Sequence, residues 1–312
     1  MPAGGLFSGL AWLRRAVYRG GWLPTVRLPV PVVVIGNIVA GGSGKTPLTL
    51  WLAERMRAAG RRPGIVSRGY GRRSAAVTEV GAGDTVSDVG DEPLLLARRA
   101  ACPVFVGADR AAAARALLAA HPECDLILCD DGLQHYRLAR DVEIAVVDRR
   151  GAMNGWPLPA GPLREPVARL ATVDAIVLHD NDTVRVDGVP TFRMRLRGEI
   201  FYRLDRSDRQ VAAAELAGQK LHALAGIGEP QRFFDHLAAL GLAFEAHAFA
   251  DHHRYTGADF PRAGDALLTT EKDALKFSGL APLPVWVLPV EAEIAPDLAA
   301  YVMEKIDGCP SA

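Results

Sequence analysis

Three glycines, one lysine and two hydroxyls stand together in Gly41-Gly42-Ser43-Gly44-Lys45-Thr46, with Pro47 and Leu48 following. In a glycine-rich turn, backbone N–H groups converge on anionic oxygens, and a helix that follows directs its positive end at them. Lys45 is then placed to reach the terminal phosphates of a nucleoside triphosphate, and Thr46 to ligate magnesium. The first glycine of G-x-x-x-x-G-K-S/T would fall at position 39, where the chain has Val39, so only the G-G-x-G-K-T core remains. That core resembles the deviant loops of one P-loop branch, whose extra lysine would fall at Ala40. The competing reading is a glycine-rich turn with a solvated lysine; the apolar run at 32–35 and the helix-like stretch from 45 favour the phosphate loop.

A second nucleotide-site signal is the apolar run 126–129 ending in Asp130-Asp131, in the order and at the separation of a strand whose tip holds magnesium. Alone, two aspartates after a strand read as a turn or helix cap. Asp91-Glu92-Pro93 has the form of an ordinary helix start, yet a phosphotransferase needs an aspartate near the phosphates to receive the acceptor hydroxyl's proton. After the run 64–67, Arg68 or Arg72 is suited to neutralise phosphate and Tyr70 to pack on a ring or bond an oxygen, unless this is a flexible surface loop. Asp251-His252-His253 offers a histidine oriented by a carboxylate; no metal-motif partner accompanies the two histidines. Thr269-Thr270-Glu271-Lys272-Asp273 fails the spacing of the guanine-reading motif, which weakens a GTPase reading.

The elements that must carry these groups follow from periodicity. Apolar runs at 32–35, 64–67, 103–106, 126–129, 144–147 and 175–178 read as strands, with helices over 45–59 and after the cap Asp109 to 120. This alternation predicts an α/β fold, a P-loop NTPase-like, mostly parallel sheet with helices on both faces, whose ligands gather at the strands' carboxyl ends. Residues 191–197 and 199–204 alternate around Gly198 and read as a two-stranded hairpin. Beyond it, strands at 221–225, 244–249, 266–269 and 285–290 and a helix at 230–240 predict a smaller C-terminal α/β domain. The expected division is a segment 1–30, a core 31–190, a hairpin hinge 191–205 and a second domain 206–312.

The chain has 312 residues and balances 36 basic against 36 acidic side chains, which gives no footprint for nucleic acid. The charge is uneven: no acid precedes Glu54, while Arg14, Arg15, Arg19 and Arg27 do. On a helix, Leu6, Leu10, Leu13 and Val17 share a face, flanked by Trp12, Tyr18 and Trp22, with arginines roughly opposite. Arg14 and Arg15 end the apolar run short of the roughly 20 residues that span a bilayer, and no secretory signal is formed. Such a helix either lies in a membrane surface or packs on its own domain. Cys102, Cys124, Cys129 and Cys309 form no metal-like or C-x-x-C spacing and read as reduced thiols of a cytoplasmic protein.

Gly36-Asn37-Ile38 with the loop to Pro47, Ser67 to Gly71, Val89 to Pro93, Asp130 to His135, Leu158 to Glu165, Phe249 to Tyr255 and Thr270 to Ala274 together resemble the tetraacyldisaccharide 4'-kinase family. These are the lipid A 4'-kinases of Gram-negative bacteria, and the likeness covers most of the chain. The absent first glycine is similar to a feature of that family. The resemblance implies transfer of the ATP γ-phosphate to the 4'-hydroxyl of a tetraacylated glucosamine disaccharide 1-phosphate, giving lipid IVA, at the cytoplasmic face of the inner membrane. It implies that residues 41–48 bind ATP through Lys45 and the loop amides, and that Thr46 with Asp130 or Asp131 holds Mg2+. By the same likeness Asp91 is the base, assisted by His252 with His253 in reserve, and Glu92 supports metal or nucleotide. Arg68, Asn154 and Arg164 become contacts to the anionic head, with no obligatory protein partner. A switch-type NTPase acting through a protein, and a soluble kinase of a small metabolite, are the alternatives.

Overall fold

The computed structural model describes residues 2–277 and 279–308; Cys309 and the side chain of Leu6 lie outside it. After α1 (Pro2–Arg19), the chain forms β1 (Val32–Gly36), α2 (Lys45–Ala58), β2 (Pro63–Ser67), β3 (Thr78–Glu79), α3 (Val86–Val89) and α4 (Asp91–Arg99). It continues through β4 (Val104–Val106), α5 (Arg110–Ala120), β5 (Leu126–Cys129), β6 (Val142–Asp148), β7 (Ala175–His179) and β8 (Thr191–Arg197). The second unit comprises β9 (Ile200–Arg203), β10 (Arg206–Ala212), α6 (Ala213–Leu216), β11 (Leu221–Ala225), α7 (Pro230–Ala239), β12 (Phe244–Ala248), β13 (Ala266–Thr270), α8 (Glu271–Ala274) and β14 (Val285–Leu288). Then β15 (Glu291–Ala295) and α9 (Leu298–Asp307) complete the described chain.

The larger sheet runs β15-β8-β7-β6-β1-β5-β2-β4-β3, and its pairings are parallel except at the edge strands β3 and β15. β1 lies between β5 and β6 and is buried along its whole length, which is why it reads as a continuous apolar run. Alternate residues serve opposite faces. Val33 and Ile35 pack with Leu48, Leu52 and Met56 of α2 and Leu298, Val302 and Ile306 of α9. Val32 and Val34 pack with Ala113, Ala114 and Leu117 of α5. Asp109 caps α5 as expected, accepting from Ala111 N at 3.0 Å and Ala112 N at 3.4 Å.

The smaller sheet runs β10-β9-β14-β13-β11-β12 and buries Phe233, Phe234 and Leu237 of α7. Here the strand pairing corrects two expectations. Residues 191–205 are no hairpin: β8 pairs with β15 through Arg197 and Glu291, whereas β9 pairs with β14 through Tyr202 and Val287. Two chain segments therefore cross side by side from one sheet to the other. Alternation specifies that a segment is a strand but not its partner. The span 206–312 is also not one unit, because β15 rejoins the larger sheet and α9 buries its i, i+4, i+8 stripe against α2.

Candidate active site

The phosphate loop joins the carboxyl end of β1 to α2, and its shape accounts for the missing glycine. Val39 forms a bridge with Leu163, and Ala40 N donates to Pro162 O at 2.8 Å, so the chain there is held against a neighbouring loop and needs no left-handed residue. The turn proper begins at Gly41 (φ +98°) and ends at Gly44 (φ +96°), where a Cβ would collide with the His179 ring. Asn37 donates to Ser43 Oγ at 3.0 Å, and neutral His179, its pKa lowered by burial and by Arg232, donates from Nδ1 to Ser43 O at 2.9 Å. Arg150 ties Gly42 O at 2.9 Å to Asp148. These bonds fix the carbonyls outward and leave the first-turn amides of α2 facing the crevice.

Lys45 is only 7 % exposed and lies 3.6 Å from Asp131. Burial opposes ionisation of Asp131, but Lys45 and Arg164, whose Nη1 reaches both carboxylate oxygens at 2.8 and 3.1 Å, hold its pKa at about 2. Asp130 is different. It is fully buried and accepts from Thr49 Oγ1 at 3.1 Å, while its second oxygen has no partner among the described residues. Burial first, then the neighbouring carboxylates Glu92 and Asp131, push its pKa up.

Opposite the loop, Asp91 opens α4 and is 3 % exposed. His252, on the loop after β12, brings Nδ1 to within 2.9 and 3.1 Å of its two oxygens. Lys276 lies 3.7 Å and Lys272 3.8 Å from the same carboxylate. Burial works against the charge, yet the His252 hydrogen bond and these two ammonium groups hold Asp91 at about 2, and the bond to Asp91 in turn raises His252. Tyr70 tilts over the His252 ring at 4.9 Å between centroids.

Most of the residues singled out from sequence converge, with three exceptions. Leu48 buries its side chain in the core and spends its amide on Gly44 O at 3.2 Å, so it offers an anion nothing. Asn154 bonds within its own loop, to Ala160 O at 3.4 Å and Trp156 N at 3.1 Å, and does not line the cleft. His253 faces Asp259 at 3.3 Å and stacks on Phe249, away from Asp91. Glu92 does line the site, where Lys272 engages it at 3.0 Å. Lys272 and Lys276 are functional-site residues that the sequence did not mark: Lys272 lies in a stretch that carries the family resemblance, but no local pattern shows which carboxylates it or Lys276 will meet. Lys272 also bonds Asp251 at 3.2 Å, and its three carboxylate neighbours outweigh burial and raise its pKa.

Two cavities meet at Gly42, Lys45 and Glu92. One, of about 990 Å³, is lined by Arg68, Tyr70, Asp131, Arg164 and His252 together with Phe7, Leu10 and Arg14 of α1. The other, of about 220 Å³, lies between the loop and Ile227, Arg232, Phe233 and Lys272 of the second unit. There Gly228 approaches the Gly42 amide so closely that any Cβ would overlap it.

A parallel sheet ending in an amide cradle, a buried lysine and paired aspartates defines a P-loop phosphotransferase. A sequence model of the tetraacyldisaccharide-1-P 4'-kinase family, LpxK, matches residues 1–307. The chain belongs to that family, whose members are ATP-dependent phosphotransferases. It is 53 % identical over 311 residues to the tetraacyldisaccharide 4'-kinase of Dechloromonas aromatica, covering 99 % of this chain and 92 % of that one. It is 52 % identical over 308 residues to the enzyme of Azoarcus sp., covering 98 % and 90 %. A crystal structure of LpxK from Aquifex aeolicus in complex with ATP superimposes with a TM-score of 0.82, at 30 % identity and 98 % coverage of both chains.

Proposed function

We propose that this chain transfers the terminal phosphate of ATP to the 4'-hydroxyl of a tetraacylated disaccharide 1-phosphate, forming lipid IVA. The observation that carries this reading is the Asp91–His252 contact, which ties a buried, ionised carboxylate to a histidine that lines, together with Gly42 and Lys45 of the phosphate loop, a cleft roomy enough for a disaccharide. Lys45 and the loop amides bind the β- and γ-phosphates. Asp91 receives the acceptor proton, and His252 orients it. Arg68 and Arg164 line the same cleft as cations for the lipid's anionic head.

Magnesium fits the residues present, because Asp130 keeps one buried oxygen without a partner among the described residues, beside the α2 start. Thr46 and Asp130 would hold the ion, and Asp131, already neutralised by Lys45 and Arg164, would not. Bound there, it would shield the charge of the β- and γ-phosphates.

The crevice of about 220 Å³ is smaller than the roughly 300–1,000 Å³ of typical ligand sites. Nucleotide access therefore involves parting the two units about the paired crossings, and reclosure completes the Asp91–His252 pair and excludes water. No described helix is long and apolar enough to cross a membrane. Trp12 (65 % exposed), Leu10, Leu13 and Trp22 nevertheless project from or beside α1, so this end rests on the cytoplasmic face of the inner membrane, next to the cleft it helps to line. Deleting residues 1–19 weakens pelleting with anionic liposomes; unchanged pelleting would reduce α1 to a packing element.

The test of the reaction is incubation with γ-labelled ATP and the acylated disaccharide in detergent. A labelled, doubly phosphorylated lipid is expected. Label released only as inorganic phosphate, or transferred to a water-soluble alcohol instead, would overturn the assignment.

A further inference from the structure

On the outer edge of the smaller sheet, β12 runs parallel to β11 in a register that sets His222 opposite Glu245. Residues two apart on a strand share a face, so His247 joins them on the same side. His222 Nδ1 lies 3.1 Å from His247 Nε2 and 3.5 Å from Glu245 Oε2, and His247 Nε2 lies 3.7 Å from Glu245 Oε1. Among the described residues, this is the one group of three potential ligands whose donor atoms converge, all within 4.8 Å. Ligand atoms about 2.0–2.2 Å from a tetrahedral ion are about 3.4 Å apart, close to each of these separations.

The orientation of the rings agrees. His222 is buried, and its Nε2 donates to the Ala263 carbonyl at 2.7 Å, the kind of backbone bond that fixes the tautomer and tilt of a metal-binding imidazole. Its Nδ1 lone pair therefore points at the other two side chains. Without an ion, His247 Nε2–H donates to that lone pair; with one, His247 carries its proton on Nδ1 and presents Nε2. Burial, with His222 adding to it and Glu245 opposing it, keeps His247 below the usual histidine value, so the ring is neutral near pH 7.

We propose that His222, Glu245 and His247 form a binding site for one divalent transition-metal ion, with water as the fourth ligand. Two imidazoles and one carboxylate suit Zn2+ rather than Mg2+, which prefers oxygen donors. The ion clasps the edge strand to its neighbour through His222 of β11 and Glu245 and His247 of β12. The phosphate loop meets Gly228, beyond the opposite end of β11, so this site is separate from the catalytic crevice. It pins the strand whose continuation carries Asp251 and His252.

The test uses full-length protein stripped of metal and titrated with Co2+ in the absence of nucleotide. One equivalent is expected to give the visible absorption of four-coordinate Co2+, lost on adding Zn2+ and unchanged by excess Mg2+, and Zn2+ should raise the melting temperature. In His247→Ala and Glu245→Gln the affinity falls by more than about 100-fold, beyond what losing a partner that merely orients a ligand costs. Glu245 is exposed, so its substitution leaves the metal-free melting temperature unchanged and carries the test even if a histidine variant folds poorly. Absence of the absorption in the wild type, or equal binding by both variants, would overturn the proposal.

Discussion

The phosphate loop and the His252 member of the Asp91–His252 pair line the same cleft, yet loop and pair are built in opposite ways. The loop is made of consecutive residues, and the bonds that shape it come from Asn37, Arg150 and His179, all in the first unit. The pair joins residues 161 positions apart, one on each unit, and is braced by Lys272 and Lys276 from the second. The side-chain bonds that shape the cradle thus come from the first unit, whereas the proposed proton-handling pair is complete only when the units are docked. Binding and chemistry are separable by mutation to the extent that this contrast is real.

The largest effect is expected at Lys45, which on the proposed reading would touch the transferred phosphate in both ground and transition states. Lys45→Ala lowers kcat/KM by about 10³-fold or more and weakens ATP binding in a direct titration. Retained affinity would remove Lys45 from the cradle. Next, Asp91→Asn slows transfer by roughly 10²–10⁴-fold, as loss of a positioned base does, while ATP affinity stays within a few-fold of wild type. Parallel loss of both would make Asp91 a structural residue and erase the contrast.

His252→Gln costs less, roughly 10–100-fold in kcat, because the carboxylate remains. It should also change the pH profile. Asp91, held at about 2, is ionised throughout the working range, so the titrating partner is His252, raised above the ordinary histidine value of about 6.5. As pH rises through the folded His252 pKa, the imidazolium loses its charge, Asp91 becomes the stronger base, and kcat climbs; His252→Gln flattens this limb. The sign for docking is opposite. A raised histidine stabilises the closed form fully below about pH 6.5, and this contribution is lost as pH rises through its folded value. The smallest effect is at Arg99, whose Nη1 bonds both oxygens of Glu271 at 2.7 and 2.6 Å across the units. Arg99→Ala should lower unfolding stability by about 1–3 kcal/mol with the phosphate loop intact, measured by denaturant titration with ATP affinity as the control.

The difference between local and distant construction also explains what could be read from the chain. The glycine loop, the strand ending in Asp130-Asp131 and the buried central strands were legible, because each is a continuous run with its own periodicity or turn chemistry. Val39 was legible only as a departure, since its bridge to Leu163 is made by a loop far along the sequence. The pattern of residues 191–204 revealed two strands but not that residues 285–295 pair with both. Lys272 and Lys276 stayed silent because nothing local marks a lysine that will meet an aspartate on another unit. His222, Glu245 and His247 are likewise united only by strand register.

The central claim, that Asp91 and His252 act as one unit assembled by docking, is tested most directly by a double-mutant cycle on kcat. The Asp91→Asn/His252→Gln enzyme should be no slower than Asp91→Asn alone, because His252 has nothing left to orient. Losses that multiply in the double variant would show two independent groups and contradict the account.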